Sequence, residues 1–128
     1  MTNKIFYVRD GDNNPVGMLI ALQAENGIDY DISWSYCRRE DQFSREQSIL
    51  WAKLRQKNKD LPGVMPHKIR NDLAVFALNC QRYYKGIKLH NICNNTKKMT
   101  AVGKASWERT KQTIINNMTN GVADTVVS

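Results

Sequence analysis

Ile28-Asp29-Tyr30-Asp31-Ile32-Ser33-Trp34-Ser35-Tyr36 alternates apolar and polar residues at every step, five apolar against four polar. A period of two is the signature of a strand with one face on a core. The chain then passes through a polar elbow, Cys37-Arg38-Arg39-Glu40-Asp41-Gln42-Phe43, into a segment that reads as a helix from Ser44 to about Lys57. Ser44 and Gln47 make an S-x-x-Q capping box, and Phe43 just before them is placed to staple onto the first turn. Leu50, Trp51 and Leu54 are expected on the buried side of this helix. Arg38 and Arg39 stand just ahead of a helix N-terminus, whose free N–H groups already favour an anion.

Two more strands precede this stretch. Lys4–Arg9 is rich in aromatic and β-branched residues, and Val16–Leu22 is apolar. Asp10-Gly11-Asp12-Asn13-Asn14-Pro15 between them is dense in turn formers, and Asn26-Gly27 is the favoured pair for a type I′ hairpin. Beyond a connector from Asn58 to Pro66, Ile69, Leu73, Phe76, Ala77, Cys80 and Tyr84 recur at spacings of 4, 3, 1, 3 and 4, an amphipathic helix ending at Gly86. Its other side carries Lys68, Asp72, Asn79 and Arg82. Ile87–Met99 alternates enough for a short strand and then turns loop-like at Asn94–Lys98. Ser106 is the expected cap of a third helix bearing Trp107, Ile114, Ile115 and Met118, with Gly121 beyond it and a frayed tail from Val122. The expectation is one α+β domain over residues 1–128: a three-stranded antiparallel meander followed by two to three helices packed on one face.

The charge is uneven. Residues 1–36 carry two basic and five acidic side chains, net −3, whereas residues 37–111 carry seventeen basic and six acidic, net +11. The asymmetry points to an anionic partner, set against the plainer reading that the lysines only solvate helix surfaces. No apolar run is long enough for a membrane helix, and the first residues lack the apolar stretch of a secretory signal. Cys37, Cys80 and Cys93 are an odd set without C-x-x-C spacing, so neither a disulfide framework nor a zinc site is expected, and a reducing cytoplasm is the natural compartment. Cys80 falls on the apolar stripe of its helix as a small core residue.

No phosphate-binding glycine loop is present, and His67 and His90 lack metal-ligand spacing. His67 reads as a solvated residue at a helix start. Asp29 and Asp31 share a strand face, but in an acidic stretch beside a turn they read as solvated. Neither Ser35 nor Cys37 has a base in sequence reach, although Arg38 and Arg39 would favour a thiolate. No catalytic residue, metal site or cofactor is assigned, and the chain does not read as an enzyme. What remains suits the holding of something anionic and flat. Arg38, Arg39, Arg55, Arg82 and Arg109 supply forked donors, Asn79 an amide, and Phe43 and Tyr83 ring faces, with Tyr84 and Trp107 as further rings. For Phe43, Trp51 and Tyr84, core packing competes with that role.

The segment Ser35-x-Cys37-x-x-x-Asp41-x-Phe43-Ser44-Arg45, followed by Trp51-Ala52-x-x-Arg55, resembles a motif of small bacteriophage proteins, the first type of the Thoeris anti-defence family. The likeness covers roughly residues 28–55, with Ser48 where a glycine is usual. It implies a protein that sequesters a cyclic ADP-ribose isomer or cyclic oligonucleotide without cleaving it, acting as a homo-oligomer in the cytoplasm of the infected bacterial host. Arg55, which closes the matched helix motif, is the residue it carries over as a ligand contact. The rival expectation is a basic phage early protein binding nucleic acid or a host nucleic-acid machine, which the +11 balance of residues 37–111 supports directly. A third is a small assembly protein whose helices serve to oligomerise.

Overall fold

The computed structural model of the chain describes residues 2–38 and 42–127, the side chains of 118–127 excepted. The elements run β1 (Ile5–Arg9), β2 (Pro15–Gln23), β3 (Tyr30–Tyr36), α1 (Arg45–Lys57), α2 (His67–Tyr83), β4 (Leu89–Ile92) and α3 (Ala101–Val127). One four-stranded sheet has the order β1-β2-β3-β4, antiparallel over the first three strands and parallel between β3 and β4. The meander is thus extended by a fourth strand from the Ile87–Met99 stretch. The α+β class stands, with three helices on the sheet.

The helices divide between the two faces rather than sharing one. Along β2, Leu19 and Ala21 join Tyr30, Ile32 and Trp34 of β3 in a core closed by α2, by Trp107 and Ile114 of α3, and by Leu89 and Ile92 of β4. Met18, Ile20 and Leu22 point the other way and meet Ala52, Ile49 and Phe43. Burial on both faces follows from the unbroken apolar run of β2, which no single covered face would need. Gly17 permits the close approach of α2, since a Cβ there would stand 2.6 Å from Ile69 Cδ1 and 2.9 Å from the Ser35 carbonyl oxygen.

Several expected details change. β3 begins at Tyr30, not Ile28, because residues 24–29 form a longer turn than a type I′ pair. Asn26 Oδ1 accepts from the N–H groups of Ile28 and Asp29, and Ile28 is 75% exposed. α1 is capped by Ser44 Oγ accepting from Gln47 N, as its capping box requires. Its buried face, however, is Ser48 and Ala52, and Leu50, Trp51 and Leu54 face outward. The reason lies in β3. The strand presents Ser33 and Ser35 to α1, and small residues facing small residues let the helix settle until Ser33 Oγ donates to the Ala52 carbonyl at 2.7 Å. α3 starts five residues before Ser106, with Thr100 Oγ1 accepting from Gly103 N, and extends to Val127. Ser106 instead accepts from Arg70 Nη2 at 3.3 Å across the α2–α3 seam. The Met118 side chain lies outside the described residues.

Candidate functional site

The sheet ends on β4, and β4 is only four residues long. α1 lies over one face there and α3 over the other, so the strand's outer edge is the floor of an open cleft of about 700 Å³. That is the size of a small-ligand site. The last turn of α1 and the residues after it form one wall. Trp107, Glu108 and Lys111 of α3 form the other, and Asn94–Thr96 close the end.

Arg55 is the most constrained cation on this cleft. Its guanidinium carbon lies 3.7 Å from the centroid of the Trp34 ring. Nε donates to the Trp34 carbonyl at 3.1 Å and Nη1 to the Pro62 carbonyl at 3.4 Å. Trp34 is itself pinned by its indole N–H on the Cys93 carbonyl at 2.9 Å. Gly63, at φ +122°, makes room, since a Cβ there would sit 3.2 Å from Nη1. The guanidinium is half-buried, and desolvation lowers its pKa from the ordinary value, with Cys93 opposing weakly. No carboxylate among the described residues is within salt-bridge distance of it. Since a guanidinium stays charged, the site holds a partly desolvated positive charge that only neutral acceptors compensate.

Other cations surround it. Lys57 and Lys59 line the cleft with no acidic partner among the described residues, while Lys111 lies 3.4 Å from Glu108. Asn94 and Asn95 are partly engaged in holding the 58–66 connector. Asn94 Oδ1 accepts from Met65 N, and Asn95 Nδ2 donates to the Leu61 carbonyl. A second feature lies further along β3. Asp31, expected to be solvated, is 7% exposed. Its Oδ2 accepts from Gln56 Nε2 at 2.9 Å, and its Oδ1 lies 3.1 Å from His90 Nδ1. Burial raises the Cys93 thiol to about 11, so the sulfur on this cleft is neutral and a poor nucleophile.

No family model, curated protein or solved structure matches the chain.

The other residues picked out from sequence lie elsewhere. Arg39 is outside the described residues. Phe43 packs edge-on against Tyr7 at 6.0 Å and belongs to the core beneath α1. Arg38 is exposed after β3, and Arg109 is exposed on α3. Asn79, Arg82 and Tyr83 lie in the last turns of α2, where Lys4 Nζ sits 4.8 Å over the Tyr83 ring. Of the seven that are described, Arg55 lines the cleft and the other six do not appear on its walls. Asp31, Gln56, Lys57, Lys59, His90 and Lys111 are on it and were missed. The alternation Lys53-x-Arg55-x-Lys57-x-Lys59 was the one local signal of a basic wall.

Proposed function

We propose that the protein captures a phosphate-bearing, nucleotide-type immune signal in the cleft beside β4 and holds it without cleaving it. The observation that carries this reading is Arg55: a half-buried guanidinium, preorganised on Trp34, with no counter-ion among the described residues. An anion there would supply the missing charge through the remaining N–H groups, with Lys57 and Lys59 alongside. The resemblance of roughly residues 28–55 to phage anti-defence proteins points to a cyclic ADP-ribose isomer or a cyclic oligonucleotide, and to the infected host's cytoplasm as the place of action. Among the described residues no helix is long and apolar enough to cross a membrane. Sequestration requires a slow off-rate and no general base. The outward face of α1, with Trp51 49% exposed between Leu50 and Leu54, is the surface proposed for a homo-oligomer.

One observation favours the rival reading. Arg38, Arg82 and Arg109 are exposed outside the cleft, as a surface for a nucleic-acid backbone would be. Thermal shift against cyclic ADP-ribose isomers, cyclic dinucleotides and cyclic trinucleotides separates the two. A ligand at 100 times its dissociation constant adds about 2.7 kcal/mol, roughly 10 °C for a chain of this size. No shift with any of them, together with DNA binding that falls steeply with salt, would move the function to nucleic acid.

A further inference from the structure

His90 gives the cleft an acceptor where Arg55 gives it a donor. Gln56 Nε2 donates both to the Gln23 carbonyl and to Asp31 Oδ2, each at 2.9 Å. Two acceptors on one amide nitrogen fix which way the Gln56 amide faces. The second bond holds the carboxylate of a side chain only 10% exposed, and Asp31 Oδ1 lies 3.1 Å from His90 Nδ1. An ionised carboxylate can only accept, so the hydrogen in this contact belongs to Nδ1. A neutral imidazole carries one ring hydrogen, and Nε2 is therefore left as a lone-pair acceptor. Nε2 has no protein partner among the described residues, and the ring is 56% exposed on the cleft.

Such an acceptor turns a phosphate away, because the oxygens of an ionised phosphate also only accept. The two stations are set apart by the sheet as well. Asp31 faces α1, where Gln56 holds it, and Trp34 faces the opposite core, so His90 and the guanidinium stacked on Trp34 belong to different parts of the cleft. Arg55 and Gln56 are consecutive in α1, which keeps both parts within one cavity. A ligand with its phosphate on Arg55 must bring a neutral donor to Nε2. In a nucleotide the ribose hydroxyls and the base N–H groups are such donors. A hydroxyl suits the surroundings better. Its oxygen also accepts, and Lys57 and Lys59, cationic donors with no acidic partner among the described residues, line the same cleft.

We infer that His90 selects a ribonucleotide, accepting a ribose 2′-hydroxyl at Nε2 while Arg55 holds a phosphate, with Asp31 and Gln56 as positioning residues that fix the tautomer. This rests on the reading that the cleft takes a phosphate-bearing ligand. The 2′-hydroxyl is the one hydroxyl that a 3′,5′-linked cyclic dinucleotide leaves free on each ribose, and cyclic ADP-ribose has it too. The discrimination is that of one neutral hydrogen bond, about fivefold in affinity.

The test is calorimetric titration of the full chain with cyclic di-AMP and cyclic ADP-ribose, and with the 2′-deoxy analogue of each, at about pH 8, on the alkaline side of the imidazole range. Wild type is expected to bind a parent ligand about fivefold more tightly than its 2′-deoxy analogue. His90→Phe, which fills similar space without a lone pair, should bind both forms at the weaker level. His90→Gln, whose side-chain oxygen can accept, should restore part of the preference. Asp31→Asn, whose amide can meet Nδ1 as donor or as acceptor, should fall between wild type and His90→Phe; an undiminished preference there overturns the positioning role. Wild type that binds both forms equally, or a preference for the hydroxyl that survives in His90→Phe, overturns the inference and leaves the capture reading standing. No binding of either parent ligand by wild type overturns both.

Discussion

Replacing Arg55 by alanine and by lysine separates its two contributions, to the fold and to the ligand. In the folded protein the side chain makes one good hydrogen bond, Nε to the Trp34 carbonyl at 3.1 Å, one long one to the Pro62 carbonyl at 3.4 Å, and a stacked contact 3.7 Å from the Trp34 centroid. A hydrogen bond from a charged donor contributes about 1.5 kcal/mol at the weak end, and a half-desolvated stack about 1 kcal/mol. Against them stands the partial desolvation of a cation with no counter-charge, which alanine relieves. The net expectation for Arg55→Ala is a loss of about 1–2 kcal/mol, a fall in Tm of about 4–8 °C, with the chain still folded. Lysine keeps the charge but not the fork or the stack, so Arg55→Lys should recover less than half of that loss. Urea unfolding of the three proteins with and without 50 mM sulfate measures both roles. Sulfate should stabilise wild type by supplying the missing counter-charge, Arg55→Lys less, and Arg55→Ala least. If sulfate stabilises all three equally, the cation is not an anion site; if Arg55→Ala is more stable than wild type, the contacts of the guanidinium do not outweigh its desolvation.

Trp34→Ala should cost about 3–5 kcal/mol, because a 3% exposed indole leaves a core cavity and frees the Cys93 carbonyl; chemical denaturation reads it, and a neutral result would mean the covered face of β3 is misplaced. Gly17→Ala should lose about 1–3 kcal/mol, since Ile69 Cδ1 and the Ser35 carbonyl oxygen occupy the space a Cβ needs; an unchanged urea midpoint would refute the close packing of α2. Trp51→Lys should leave Tm nearly unchanged and abolish self-association in sedimentation; association that survives it places the oligomer interface elsewhere. Burial raises Cys80 to about 12 and Cys93 to about 11, from an ordinary value of 9.0. A raised acid pKa means the native state holds its protons longer than the unfolded chain. That contribution is therefore complete below pH 9 and is lost as pH rises through 11 to 12. Alkaline unfolding should accordingly shift when either cysteine is replaced by alanine; superimposable profiles would show that neither thiol is held neutral by burial.

Local pattern carried much of the fold. The alternation of Tyr30–Trp34 and the spacing from Ile69 to Tyr84 read correctly, because each depends only on which side of one element the core lies. Ser44 read correctly because a cap is satisfied within three residues. The buried face of α1 did not read. Leu50, Trp51 and Leu54 are its most apolar residues, yet close packing on β3 selects Ser48 and Ala52, and that choice belongs to the pair of surfaces. The unbroken run Met18–Leu22 did hold the clue that both sheet faces are covered.

The site was far less legible than the fold. Residue type singled out Arg55, but the same type also singled out Arg82 and Arg109, which point elsewhere. Asp31, Gln56 and His90 come from three elements separated by up to 59 positions, and no spacing rule links them. What the chain alone determined was periodicity, capping and the excess of basic groups, since each is a property of neighbours in sequence. What the tertiary structure alone decided was which face each helix covers, which acid is buried and which cations share a cleft. These are set when β4 pairs with β3 and places α1 and α3 on opposite sides of one edge.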